Sequence, residues 1–157
     1  MQTKKPATIA IYGFDHALAS AITGAVDLFA QAGVTWQKIH HAMPSPVFSV
    51  QLLSSTGAPV RCVNSITLHT DGRLDARHPP DVLLIPTIGG NIEQVINQQK
   101  SLMPVLRTFH EQGVDIAANC TGVFLLAAAG ILDGKSATTH WGFANEFKAR
   151  FPQVNLN

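Results

Sequence analysis

Asp115-Ile-Ala-Ala-Asn-Cys120-Thr-Gly-Val-Phe-Leu-Leu-Ala-Ala-Ala-Gly130 decides how the rest of the chain is read. A short β-prone run gives way at one cysteine to a run of good helix formers, and Gly130 stands where a helix ends in a left-handed residue. Cys120 therefore falls in a strand-to-helix corner. Such a corner brings helix and strand backbones close together, so the residues flanking it must be small, as Ala118 and Gly122 are. The pattern A-N-C-T-G is a variant of the G-x-S-x-G nucleophile elbow. A thiol held there faces unpaired helix N–H groups and the positive end of the helix dipole, both of which favour the thiolate. Taken alone, Cys120 also reads as a small buried side chain that packs the turn.

Upstream, Thr8-Ile-Ala-Ile-Tyr12 is a short apolar strand followed by Gly13 and a loop. From Ser20 to Ala32 the apolar residues Ile22, Val26 and Phe29 share one helical face, with Gly33 placed to end it. His40 to Pro46 is turn-rich, and Phe48 to Leu53 reads as a strand. A turn at Gly57-Ala-Pro59 leads into a weaker extended stretch, Val60 to His69, which suggests a small hairpin. Asp81-Val-Leu-Leu-Ile85 is continuously apolar, as a parallel central strand covered on both faces should be. Pro86-Thr-Ile-Gly-Gly90 is a glycine-rich turn, and a short helix follows from about Ile92 to Gln98. Leu102, Val105, Leu106 and Phe109 define another helix, with Pro104 tolerable in its first turn and Gly113 as its stop. Beyond the corner come an Asp133-Gly134 turn, a short strand from Ser136 to Thr139 ending at His140-Trp141, and a final helix from Phe143 to Arg150.

Strands alternating with helices at this spacing imply an α/β fold with a mainly parallel sheet and helices on both faces. Ligands bind such sheets beyond the carboxyl ends of the strands. The loops there carry Gly89-Gly90, Cys120 and His140.

Composition bounds the function. Of 157 residues, 46% are hydrophobic and 13% charged, which suits one globular domain with a sizeable core. A net charge of +1 lacks the basic footprint of a nucleic-acid binder. Two cysteines in different kinds of segment, Cys62 and Cys120, fit a reducing cytoplasm, and the basic N-terminus shows no apolar signal segment. Cys62, in the hairpin, reads as structural. His40, His41, His69, His78 and His110 show no metal-ligand spacing, so no metal or cofactor is expected. Asp27 reads as a partner for backbone or a basic side chain.

The block A-N-C-T-G-V-F-L-L-A-A-A-G-I-L-D-G-K-S-A-T-T-H-W, residues 118–141, resembles the ThiJ/PfpI superfamily of class I glutamine-amidotransferase-like domains. It is most similar to the amidase-like sensor domain at the N-terminus of AraC-type transcriptional regulators. There the cysteine-threonine-glycine, leucine-aspartate-glycine and threonine-threonine-histidine-tryptophan elements occur together. I-A-I-Y-G-F, A-V-D-L-F-A-Q-A-G and D-V-L-L-I-P extend the resemblance over nearly the whole chain with less specificity.

The resemblance implies a flavodoxin-like three-layer sandwich. It puts Cys120 at the family's elbow, His140 at its histidine, and the Gly89 and Gly90 amides on its oxyanion loop, with the Thr121 amide as a further donor. In an enzyme Cys120 would attack a carbonyl, His140 would move the proton and the amides would hold the developing charge. Two departures weigh against turnover: Ala21 occupies the family's glutamate position, and Thr87-Ile88 separates the proline from the glycine pair. Asp15 and His16 in the preceding loop are not equivalent groups, and Asp15 and Trp141 are retained as ligand-contact candidates. The expected function is therefore a ligand-sensing domain that binds a small metabolite around Cys120 and acts as a homodimer. It would lack its C-terminal strand and helix, and DNA contact would be left to a following helix-turn-helix domain. The alternative is a stand-alone cysteine-dependent hydrolase of the amidase, isonitrile hydratase or glyoxalase/deglycase kind.

Overall fold

The computed structural model describes residues 5–157; the basic extreme N-terminus, residues 1–4, lies outside it. Strand β1 (Ala7–Tyr12) forms the middle of the sheet, and its residues Ile9, Ala10, Ile11 and Tyr12 are buried irrespective of which face they point to. That is the burial of a strand covered above and below. It pairs in parallel with β2 (Phe48–Ser54) on one side and β6 (Val82–Ile85) on the other. The sheet is completed by β5 (Gly72–Arg73) beside β2 and β7 (Asp115–Ala118) beside β6. The order is β5-β2-β1-β6-β7, and every pairing is parallel.

Right-handed crossovers fix the layers. The step from β1 to β2 and the step from β6 to β7 run in opposite directions across the sheet, so their helices lie on opposite faces. Helix α1 (Ala19–Gln31) packs on β1 and β2, while α3 (Ile92–Gln98) and α4 (Leu102–Glu111) pack on α5 (Val123–Ala128), with α4 also against β7. The result is a three-layer, flavodoxin-like α/β fold. The chain reverses its direction of travel between β1 and β6, so the loops leaving those two strands diverge over a crevice at their carboxyl ends.

The helices end where the sequence places their glycines: Gly33, Gly113 and Gly130 have φ of 75°, 79° and 77°. Ile22 is buried and Val26 and Phe29 half-buried, with Phe29 edge-on to Phe48 at 5.4 Å. Leu102, Leu106 and Phe109 of α4 are buried. Helix α6 (Ala144–Arg150) is anchored by Phe147 against Phe124 at 4.9 Å. Tyr12 donates a buried hydrogen bond of 2.6 Å to the Gln99 side chain, and burial pushes its phenol pKa up to about 12.

Three parts of the chain depart from the sequence reading. The 60–69 hairpin forms as β3 (Val60–Arg61) and β4 (Thr67–Leu68), but β5 and the short helix α2 (Thr35–Ile39) carry no periodic signal that sequence could have used. The strand expected over Ser136 to Thr139 is only β8 (Ser136–Ala137). It stays out of the main sheet and pairs in parallel with β9 (Asn155–Leu156). The ladder is held by amides of Asn155 and Asn157 on the carbonyls of Lys135 and Ala137, which gives β8 its partner away from β7. Among the described residues no helix is long and apolar enough to cross a membrane.

Candidate site at the strand-to-helix corner

Cys120 follows β7 and opens a one-turn 3-10 segment, Cys120–Gly122, that leads into α5. Its φ is +53°, a left-handed conformation that costs a residue with a Cβ on the order of 1 kcal/mol. The bend lifts the half-buried, free thiol out of the line of the strand. Gly122 explains why the bend needs a missing side chain. A Cβ there would stand 2.5 Å from the Pro86 carbonyl oxygen and 2.8 Å from that of Ile85. Its φ of −58° is ordinary, so the requirement is purely one of space.

Three loops are stitched together at this corner. The Thr121 hydroxyl, 2% exposed, accepts from the Ile88 amide and donates to the Ile88 carbonyl, both at 3.0 Å. Thr87 donates to the Asn119 side-chain oxygen at 2.9 Å, and the Asn119 amide donates to the Ile85 carbonyl at 2.9 Å. The 13–18 loop joins through the Leu18 amide on the Thr87 carbonyl at 2.9 Å and an antiparallel bridge between Ala17 and Ile88. Thr139 reaches the Cys120 carbonyl at 3.5 Å, which brings the segment carrying His140 alongside although β8 is not in the sheet.

The groups expected to do chemistry are occupied. The Gly89 and Gly90 amides both donate to the carbonyl of His16, at 2.8 and 3.1 Å, instead of facing an open anion site. His16 presents that carbonyl from a left-handed backbone, φ 68°, and packs so closely that a Cβ on Gly90 would stand 2.8 Å from its own. Asp15 accepts the Arg61 amide at 2.7 Å and ties the same loop to the β3–β4 hairpin. His140 is exposed, and its Nδ1 accepts the Gly142 amide at 3.1 Å, capping the next 3-10 turn. With that amide in place, Nδ1 is an engaged acceptor and not a free base facing Cys120. The ring stacks on Trp141, 85% exposed, at 5.3 Å. Ala21 sits half-buried in the first turn of α1 and offers no acid.

A cavity of about 450 Å3 opens beside the 13–18 loop, with Asp15, His16, Arg61 and Asn64 in its wall. Cys62 lines it too, and burial, then the negative charge of Asp15, pushes its thiol pKa up, which leaves it an unreactive wall residue. Asp15 thus belongs to this cavity, while Thr121 bonds Ile88 and the Gly89 and Gly90 amides bond the His16 carbonyl. The participants that sequence reasoning missed are the His16 carbonyl, Thr87, Asn119 and Thr139. A backbone carbonyl has no signature in the sequence, and the other three are ordinary polar loop residues.

A left-handed cysteine between β7, the parallel strand at the edge of the sheet, and a helix makes this a strand-to-helix corner of an α/β protein, with the glycine-rich loop leaving the neighbouring strand β6. The DJ-1/PfpI family profile matches residues 8–154, and the chain belongs to that family. Among its relatives is the helix-turn-helix-type transcriptional regulator CdhR of Pseudomonas aeruginosa. The two are 29% identical over 119 residues, which covers 76% of this chain and 34% of the regulator. An isonitrile hydratase of Pseudomonas putida is 35% identical over 63 residues, 40% of this chain and 27% of the hydratase. The matched stretches thus cover only about a third of the regulator and about a quarter of the hydratase. The crystal structure of an AraC family transcriptional regulator from Pseudomonas putida superposes with a TM-score of 0.74 at 20% identity, covering 97% of this chain and 76% of the other.

Proposed function

We propose that this chain is the ligand-sensing domain of an AraC-type transcriptional regulator and binds a small polar, nitrogen-containing metabolite at the Cys120 corner. One observation carries the reading: the oxyanion-type amides of Gly89 and Gly90 are given to the His16 carbonyl. Catalysis of acyl transfer needs such donors preorganised and open toward the developing charge. The engaged Nδ1 of His140 and the absent acid at Ala21 point the same way. Contacts to the ligand come from Cys120, His140, Trp141, Thr121 and the Gly89-Gly90 loop, with Asp15 at the margin. DNA is contacted by a separate helix-turn-helix domain, and the domain pairs as a homodimer in the cytoplasm. Ligand binding acts by favouring one of two arrangements of the domain.

A cysteine-dependent hydrolase is the competing reading, and the left-handed Cys120 favours it. The pH dependence of Cys120 alkylation by iodoacetamide separates the two, measured in Cys62→Ser with His140→Ala alongside. The sensor reading expects an alkylation profile indifferent to His140. It also expects no turnover of amides, isonitriles or 2-oxoaldehydes. A depressed midpoint that rises in His140→Ala, with turnover lost in Cys120→Ser, would assign the hydrolase.

A further inference from the structure

Away from Cys120, a groove runs between α1 and the end of the hairpin, over β2. It encloses about 260 Å3, close to the lower end of the ~300–1,000 Å3 seen for small-molecule sites. Its floor is hydrocarbon: Ile22 and Leu52 are buried and Val26, Val50 and Leu68 half-buried. The rim is of the opposite character. Asp27 comes from α1 and Asp71 from the approach to β5, with His69 and Thr23 beside them, and among the described residues no lysine or arginine lines the groove.

The two carboxylates are not spent on cations. The ion pairs among the described residues are both made by Asp75, so neither Asp27 nor Asp71 takes part in one. Asp71 is fixed in place instead. Its Oδ2 accepts the Leu52 amide at 2.8 Å and its own amide donates to the Leu52 carbonyl at 2.7 Å, which docks it on the edge of β2 at the groove's rim. An apolar floor under an acidic rim lacking a cation is the complement of a small molecule with a hydrocarbon body and one positive charge. A second copy of the chain fits poorly. In a twofold pair the same surface meets itself, which would set two acidic rims against each other.

We propose that this groove binds a small alkylammonium, its charged nitrogen at Asp27 and Asp71 and its carbon chain on Ile22, Val26 and Leu68. The volume holds roughly 8 atoms at about 30 Å3 each, so the body is a short chain or one small ring. This site is independent of the Cys120 reading, and the failure of either leaves the other standing. The probe is n-butylammonium, titrated against isotopically labelled protein by NMR, with n-butanol and butyrate as neutral and anionic counterparts.

Saturable shifts confined to the groove and absent from residues 119–122 are expected with butylammonium alone. Asp27→Asn, an exposed change, should weaken binding about 5- to 10-fold, as one rim charge at partial solvent screening implies. Thr23→Phe, whose hydroxyl bonds only the Ala19 carbonyl of its own helix at 3.1 Å, should abolish binding by filling the groove. Equal binding of butanol, indifference to Asp27→Asn, or sedimentation showing the groove closed by self-association overturns the proposal.

Discussion

Replacing Gly122 by alanine tests the account of the corner directly. The new Cβ would lie 2.5 Å from the Pro86 oxygen, 2.8 Å from the Ile85 oxygen and 3.1 Å from the Pro86 carbonyl carbon. A carbon resting on a carbonyl oxygen needs about 3.3–3.6 Å, so the two backbones must part by roughly 1 Å. Every obstacle is main chain at the end of β6, and no flexible side chain can swing aside. Overpacking of this kind costs about 1–3 kcal/mol, and rigid obstacles put this case near the top of the range. Gly24 in α1 is the internal control, since a Cβ there meets nothing within 4 Å. Gly24→Ala removes helix-interior glycine entropy and should stabilise by about 0.5–1 kcal/mol. Urea unfolding of the two variants should therefore bracket the wild type, with a separation of about 3–4 kcal/mol. A Gly122→Ala protein within about 0.5 kcal/mol of wild type would refute the reasoning, because it would mean that strand and helix do not press together at Cys120.

Thr121→Val keeps the shape of the side chain but orphans the buried Ile88 amide and carbonyl that the hydroxyl serves at 3.0 Å. It should cost about 2–3 kcal/mol by chemical denaturation, with Thr121→Ser recovering most of the loss. Cys120→Gly relieves the left-handed φ of 53° and should equal or exceed wild-type stability by up to about 1 kcal/mol, whereas Cys120→Val should lose stability. Tyr12 is the chain's one tyrosine, so phenolate absorbance reports it alone. With its pKa raised by burial from 10.0 to about 12, it should titrate late in the folded protein. The unfolded chain loses the same proton near pH 10. Stability tied to the neutral phenol is thus intact below pH 10 and falls by about 2–3 kcal/mol as pH rises to 12, a decline that Tyr12→Phe should remove.

The parts of the fold that sequence announced are those where one physical requirement leaves a periodic or punctual mark. Helices α1 and α4 were legible from apolar spacing and glycine stops, and β6 from its unbroken apolar run. The corner was legible because strand-to-helix contact demands Gly122 next to a turn residue. Two-residue strands such as β5 and β9 carry no period at all, and α2 is too short to show one. The partner of β8 depends on residues 155–157 returning to it, a tertiary choice that a local reading of Ser136 to Thr139 does not contain. The use of the glycine amides was hidden for the same reason. Gly89-Gly90 announces an exposed backbone, and only the folded 13–18 loop decides which acceptor that backbone meets.

That acceptor gives the sensor reading its physical content. A ligand carbonyl or carboxylate that takes the Gly89 and Gly90 amides must displace the His16 carbonyl, since both amides are already given to it. The displaced peptide belongs to a loop that is not free to absorb the change. Asp15 is tied to the Arg61 amide and the His16 amide to the Arg61 carbonyl, so the β3–β4 hairpin is held by the same short segment. Binding at the glycine loop therefore spends part of its free energy on moving the 13–18 loop and the hairpin behind it. In an enzyme that expenditure would be subtracted from stabilising the transition state. In a regulator it is the differential interaction through which a ligand shifts one arrangement of a protein to another.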